Sequence, residues 1–239
     1  MFTGTIQLHD ATDVLTPSTI QQHDLGARGI AKDGRKFRYL KIGATAITNA
    51  GLTLQAPAIV PNHQNVAAQA AAALGAFVAT LTLGATAATA NQYAEGFLVI
   101  SDVTGEGHTY RIKSHAAVAS AGVMTVTLYD PIKVALTTSS EACLIANPYN
   151  GAVVFPTTAT GMFVGVAPYA IPANNFAWVQ TYGVCSLLAA GTIGVGLGIA
   201  VPGAVAGAGT VMAATLAQIG HALQAAVDTE YRTVFLNTD

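Results

Sequence analysis

Apolar and polar residues alternate over short stretches along most of this chain, and each stretch ends at a turn residue. In residues 36–42, for example, Phe37 and Tyr39 fall on one face, because side chains alternate along a strand with a period of two. Residues 176–182 give the strongest pattern and contain the only tryptophan, Trp178, which we expect in the core. Many short strands separated by turns predict an all-β fold of small barrel or sandwich units with few short helices.

Two places in the pattern need separate interpretation. Asp33-Gly34 separates two strand-like stretches, and this dipeptide favours a hairpin with a two-residue turn. Residues 64–76 are rich in alanine, which favours a helix. Strand-like alternation begins directly after them, however, so helix and strand both stay open for this segment. No exact sequence repeat is apparent.

Breaks in the pattern divide the chain into three predicted segments. Residues 1–60 comprise an extended N-terminal arm and a basic hairpin. Residues 61–149 are expected to form a first β unit, and residues 150–239 a second, barrel-like β unit. A change in composition and a turn-rich sequence around residues 147–151 mark the boundary between these two units.

The distribution of charge is the most unusual property of the sequence. Charged residues make up 9% of the chain, against about 25% in a typical soluble domain. Residues 142–227 contain no Asp, Glu, Lys or Arg. So little charge is unusual for the free surface of a soluble monomer, and we predict that much of this segment lies against other protein chains. The net charge of -2 argues against a general nucleic-acid-binding protein.

The main candidate for a membrane span is residues 187–209. The segment is long enough to cross a bilayer, but it contains many glycines and Pro202, and it lacks flanking Lys or Arg. We therefore interpret it as buried strands and turns, and expect no membrane partner. The first residues lack the basic and apolar regions of a secretory signal.

Residues that could carry catalysis or bind metal do not form recognisable motifs. The six histidines lack metal-ligand spacing. Asp102, Glu106 and His108 lie together in a glycine-containing loop, but without the regular oxygen spacing of a calcium loop, so a solvated hairpin tip is the simpler interpretation. Cys143 and Cys185 are interpreted as buried and reduced. The sequence thus predicts a protein that is not an enzyme and uses no cofactor or metal.

Six of the ten basic residues lie close together and form the candidate partner-binding site. Three interpretations stay open for this basic cluster: a solvated face that protects an edge strand from aggregation, a contact for an acidic protein surface, or a contact for nucleic acid. The cluster consists of Arg28, Lys32, Arg35, Lys36, Arg38 and Lys41.

Several short motifs together resemble a known family. The order of these motifs is similar to that in tailed-phage virion proteins of the head decoration, or capsid cement, type, and it spans roughly residues 33–236. The closing segment, residues 219–236, resembles the final strands of the small β-barrel of such proteins. The motifs are DGRKFRY (33–39) with GAT (43–45), NQYAEG (91–96), GEGHTYRI (105–112), LYDP (128–131), NPY (147–149), FAWVQ (176–180), IGHAL (219–223) and YRTVFL (231–236).

This resemblance implies a non-enzymatic structural role in a bacteriophage virion. Members of this family commonly sit on the outer surface of the capsid, often as homotrimers. There they bind the major capsid protein and stabilise the shell. The segment of about residues 61–149 exceeds what the minimal barrel of the family needs. The alternatives are another virion component, in the tail, baseplate or shell itself, or a carbohydrate-binding β domain, which would need exposed aromatic side chains around a cleft.

Overall fold

The structure is a computed structural model that describes residues 4–8 and 14–239. Apart from helical turns at residues 14–15 and at Pro61–His63, these residues form β-strands joined by turns and loops, so the all-β prediction is confirmed. The strands are β1 (Ile6–Leu8), β2 (Arg28–Ala31), β3 (Lys36–Ile42), β4 (Thr53–Gln55), β5 (Val66–Ala67), β6 (Val78–Thr82), β7 (Phe97–Asp102), β8 (Thr109–His115), β9 (Val123–Leu128), β10 (Glu141–Ile145), β11 (Asn150–Val154), β12 (Phe163–Val166), β13 (Phe176–Leu188), β14 (Gly198–Val201), β15 (Thr210–Val211), β16 (Ala217–Ala222) and β17 (Tyr231–Asn237).

The chain divides into two compact units. Unit 2 is Ile59–Asn147, and unit 1 combines the residues up to Ala58 with Pro148–Asp239. The first and third segments of the sequence-based division therefore fold together, and the middle segment is inserted between β4 and β11. Their union could not be read from local patterns, because it depends on pairing between distant strands.

Unit 2 is a small closed barrel. Its strands follow the order β5-β10-β7-β8-β9-β6, and a bridge between Ala68 and Leu81 joins the two ends of this series. Alternation explains the core: on β9, Met124, Val126 and Leu128 point inward and are buried. Closure of the sheet removes the free edges at which strands aggregate.

Unit 1 contains two closed rings of strands that share β13. Ring A runs β3-β11-β4-β12-β13 and closes because β13 also pairs with β3. Ring B runs β13-β17-β16-β14-β15 and closes through a parallel bridge between Ala189 and Gly209. The alternation predicted a strand over residues 176–182, and β13 continues beyond it to Leu188.

An aromatic cluster covers the outside of ring A. Phe37, Tyr39, Phe176 and Trp178 pack together there with Leu8 and Val14 of the N-terminal segment. This segment also pairs with β13, through Ser18 and Phe176. In the described residues 4–8 and 14–27, the predicted arm therefore packs against the rest of unit 1. Its remaining residues lie outside the described part of the chain.

The hairpin β2–β3 differs from the prediction in its turn. Ala31 donates its N–H to the carbonyl of Arg35, so the loop has three residues, Lys32 to Gly34. Of these three, only Gly34 has a positive φ, of 85°. A three-residue loop with glycine in the left-handed region is the next most common hairpin connection after the two-residue turn.

One turn motif recurs eight times in the described residues, although the sequence has no exact repeat. In each copy, one residue that forms an isolated β-bridge precedes a turn that leads into a strand. The bridge residues of two copies pair with each other across the barrel or ring. The third residue after the bridge has a positive φ in six copies. The bridge pairs are Ile47–Ile171, Ala72–Leu136, Ala88–Val118 and Ile193–Ala226.

The alanine-rich segment and the candidate membrane span both form strands and turns. The alanine-rich residues 64–76 contain β5 and one copy of this motif, and no helix. Residues 187–209 likewise contain the end of β13, a turn and β14. In residues 4–8 and 14–239, no helix reaches the length and apolar character needed to cross a membrane.

Candidate interaction surface

The basic cluster is organised around one carboxylate, that of Asp239. Arg38 donates from Nε and from Nη2 to its two oxygens, each at 2.7 Å, and Arg28 Nη2 lies 3.1 Å from one of them. Burial alone would raise the pKa of this carboxyl. The hydrogen bonds and charge of Arg38, aided by Arg28 and Thr181, outweigh burial and hold the pKa below its usual value.

Lys36 and Lys41 are also engaged within the chain. The Lys36 ammonium donates to the main-chain oxygen of Asp239 at 2.9 Å and lies 4.5 Å from the centroid of the Tyr182 ring. Lys41 Nζ lies 5.5 Å from the centroid of the Phe176 ring. The contacts with the Tyr182 and Phe176 rings are cation–π interactions, which hold the two ammonium groups against the outside of unit 1.

Three basic residues of the hairpin remain open to solvent. Lys32 is exposed and has no ion pair in the described part of the chain. Arg35 pairs with Asp33 at 2.7 Å, but both side chains are more than a third exposed. The Arg28 side chain is 62% exposed. The structure therefore separates the predicted site into Lys36, Arg38 and Lys41, which hold the hairpin, and three residues that a partner can reach.

A second surface lies on the outside of ring B, where the sequence predicted interfaces without naming residues. Cross-strand register aligns Val184 with Phe235, Phe235 with His221, and His221 with Gly198. Met212 follows because its N–H donates to the Gly198 carbonyl. We call this row of Val184, Phe235, His221, Gly198 and Met212 the outer belt.

The outer belt is apolar, and His221 is its only titratable member. Val184 and Met212 are 48% and 46% exposed, and the inward neighbours Val234 and Ile199 are buried in the ring B core. Tyr182 packs edge-on against Phe235, with ring centroids 5.2 Å apart. Protein interfaces are enriched in methionine and aromatic residues and depleted of charge at their centres, and this row has that composition.

Three polar side chains form a buried network inside unit 2. His63 lies between the Tyr93 hydroxyl and the Thr86 carbonyl, while His115 contacts the Tyr93 N–H and the Ala116 carbonyl. His115 thus uses one ring nitrogen as acceptor and the other as donor, which fits its neutral form. Burial lowers the pKa of His115 and His63 lowers it further, against the Ala116 carbonyl, which raises it.

The phenol of Tyr93 completes this network without an accessible reactive group. Burial raises its pKa to about 12, although a hydrogen bond from Gln92 lowers it. Because these three side chains are buried and hydrogen-bonded within unit 2, we assign them a structural role. No spacing in the sequence indicates this network, since its members come from three separate turns and strands.

The other candidate residues do not converge. Asp102 is exposed at the end of β7, Glu106 is exposed in the loop after it, and His108 bonds to the carbonyl of Gly105 in the same loop. The part of the chain that the structure describes holds no group of three or more His, Cys, Asp or Glu side chains that could bind a metal ion. Trp178 is 4% exposed and belongs to the aromatic cluster, so it is not available for stacking on a sugar.

The two cysteines are free, but neither is fully buried as the sequence suggested. Cys143 lies on the outward side of β10, with its Sγ 3.2 Å from the Asn65 side-chain oxygen. Cys185 packs partly against the ring B core. Burial raises the pKa of the Cys185 thiol to about 12, opposed by the charge of Arg35, so this thiol is a poor nucleophile.

No family model, curated protein or solved structure matches this chain. The resemblance to head decoration proteins therefore stays a prediction from the motifs quoted above.

Proposed function

We propose that this protein is a non-enzymatic virion structural protein that binds the outer surface of a phage capsid and stabilises the shell. In this proposal it forms a homotrimer, and its partner is the major capsid protein. The observation that carries the proposal is the outer belt: a largely apolar row, half-exposed to exposed and without Asp, Glu, Lys or Arg, on a closed ring of strands.

Physical chemistry favours an assembly role for such a surface. Burying a charged group without a partner costs several kcal/mol, whereas an uncharged row avoids this cost on association. The ring below the outer belt has short turns and buried strands, so association orders few mobile groups. These properties suit a subunit that must bind permanently, and they provide no means of turning over a substrate.

The exposed part of the basic cluster supports an acidic protein surface as the partner. Lys32 and Arg35 lie at the tip of the β2–β3 hairpin, and Arg28 lies at its open end, where Asp239 holds it. Charges at the rim of an interface mainly raise the association rate and fix orientation. The hairpin would then steer docking, and the outer belt would supply the apolar contact.

The experiment combines light scattering after size exclusion with binding to undecorated phage heads. We expect a trimer that binds heads, and we expect Val184→Glu to weaken either trimer formation or head binding by about tenfold or more, since a buried unpaired charge costs well over 1.4 kcal/mol. Leu74→Glu is the matched control: Leu74 is 68% exposed in unit 2, outside the outer belt. A strict monomer that does not bind heads would refute the proposal.

A separate variant tests the hairpin. Replacing Lys32 and Arg35 together by Gln should slow head binding and reduce its dependence on salt, because screening acts on exposed charges. Both residues are chosen because neither contacts Asp239, so the fold should be unaffected. If head binding is unchanged and does not depend on salt, these residues are only solvated surface.

A further inference from the structure

The outward side of β8 in unit 2 carries two cations beside exposed aromatic rings. Arg111 and Lys113 alternate with the buried Tyr110 and Ile112, so they project from the barrel. Arg111 lies opposite Phe97 of β7, and its guanidinium is 4.8 Å from the centroid of the Tyr129 ring. We call Phe97, Arg111, Lys113 and Tyr129 the basic face.

The basic face has the composition of an interface anchor. Phe97 and Tyr129 are 36% and 39% exposed, and aromatic residues and arginine dominate the binding energy of protein interfaces. Glu95 lies 3.8 Å from Arg111, but Lys113 has no ion pair within residues 4–8 and 14–239. The face therefore has surplus positive charge.

The opposite end of β7 carries the complementary charge. Asp102 and Glu141 pair across β7 and β10 beside a shift in strand register, and Glu106 lies in the loop after β7. None of the three has an ion pair in the described part of the chain. Like charges on paired strands repel each other, and a cation from another molecule would relieve that repulsion. We call Asp102 and Glu141 the acidic pair.

We propose that unit 2 joins copies of this chain head to tail, with the basic face of one copy docked on the acidic pair of the next. The argument for a second copy as occupant is charge complementarity: one barrel presents both halves of the contact, on strands that its own closure holds apart. Heterologous contacts of this kind close into rings when the rotation between copies allows it. The inference rests on the oligomer in the proposed function and names the surfaces that would form it.

A charge exchange tests the contact in the purified protein without phage heads. Lys113→Glu and Glu141→Lys should each weaken self-association by about tenfold or more, as expected for close charge pairs across an interface. The double variant, which restores opposite charges with their positions exchanged, should recover association to within about threefold of the parent. Lys133→Glu serves as the control, because Lys133 is an exposed lysine of unit 2 outside the basic face.

The readouts are mass by light scattering over a range of protein and salt concentrations, and thermal unfolding to verify that each variant is folded. Folded single variants that associate like the parent would overturn the inference, as would a folded double variant that stays dissociated. A parent trimer that is indifferent to these changes leaves the proposed function intact. A parent that is monomeric yet binds heads overturns the inference alone, and a monomer that ignores heads overturns both.

Discussion

At the residue level, Asp239 fixes the basic hairpin more than any single side chain of the hairpin does. Its carboxylate accepts hydrogen bonds from Arg38 and Thr181, and its main-chain oxygen accepts one from Lys36. The Asp239 side chain is only 8% exposed, so these bonds act in a weakly screened environment. A cluster that the sequence suggested as a partner site is thus half devoted to holding the fold together.

Replacing Asp239 with Asn should therefore destabilise unit 1. We expect a loss of about 1–3 kcal/mol in the free energy of unfolding, because Arg38 would keep its burial and lose its charged acceptor. Urea unfolding measured by Trp178 fluorescence provides the value. Asp33→Asn is the control, since its ion pair is exposed and should contribute less than about 1 kcal/mol.

A comparison of the wild-type protein with Asp239→Asn also gives a test that depends on pH. The pKa of Asp239 is below its usual value in the folded protein, so its contribution is present above about pH 4 and is lost as the pH falls through the folded pKa. Wild-type protein should lose more stability on acidification than Asp239→Asn, which lacks this carboxylate. Identical pH curves for the two proteins would contradict the assigned role.

Trp178 is the second residue-scale test. It is buried in the aromatic cluster, between His23 and Tyr39, with ring centroids 5.3 and 5.1 Å away. Trp178→Ala should cost about 3–5 kcal/mol in the free energy of unfolding, measured by circular dichroism in urea. A cost of less than about 1 kcal/mol would contradict the buried placement, and Trp178→Phe should fall between the two proteins.

At the level of elements, the recurring turn motif explains much of the unusual composition. Alanine precedes the bridge residue in seven of the eight copies, as in Ala46-Ile47 and Ala170-Ile171. Small residues allow the paired bridges to approach closely, and Gly or Asn often supplies the positive φ of the turn. The alanine-rich residues 64–76 are one case in which this requirement overrides helix propensity.

One copy of the motif contains a residue that is poorly suited to its place. Thr229 has a φ of 63°, and β-branched residues are strained in the left-handed region. Thr229→Gly should therefore raise the free energy of unfolding by about 0.5–1 kcal/mol, the relief of strain exceeding the added chain entropy. Thermal unfolding gives the comparison.

The matched control for this change is Ser139→Gly, at the same position of the turn between Leu136 and β10. Ser139 does not have a positive φ, so glycine there offers no relief and should cost about 0.5 kcal/mol through chain entropy. If both glycine variants shift stability in the same direction, strain at Thr229 is not the cause.

The strand faces were predictable from sequence, whereas the strand partners were not. Alternation placed Phe37 and Tyr39 on one face and Trp178 in the core, because a period of two depends only on neighbouring residues. It could not show that β3 pairs with β13, or that Asp239 approaches Arg38, since those contacts join residues far apart in sequence. The outer belt was equally hidden, because its members come from four strands and from the residue after β15.

At the level of the whole molecule, the insertion of unit 2 separates the chain into parts that should fold independently. β4 and β11 are antiparallel partners, with Val153 opposite Gln55, so the two ends left by removing residues 59–147 lie on adjacent strands. Replacing that segment by a short Gly-Ser linker should leave unit 1 folded. Trp178 fluorescence and thermal unfolding test this, and an unfolded product would contradict the division.

Acid should weaken unit 2 through His115. Its pKa is lowered in the folded state, so the neutral form contributes stability that is present above the unfolded pKa of about 6.5 and is lost as the pH falls below it, by up to about 1.4 kcal/mol per pH unit. Hydrogen exchange at pH 7.5 and pH 5 should show faster opening of β7–β9 at the lower pH. Equal protection of unit 2 at both pH values, after correction for intrinsic rates, would contradict the buried neutral network.

Because rings A and B share β13, they should unfold together. The first half of β13 closes ring A and its second half closes ring B, so neither ring can open without disturbing the backbone of the other. A calorimeter should therefore record one heat-absorption peak for both rings together, and any second peak should belong to the inserted barrel.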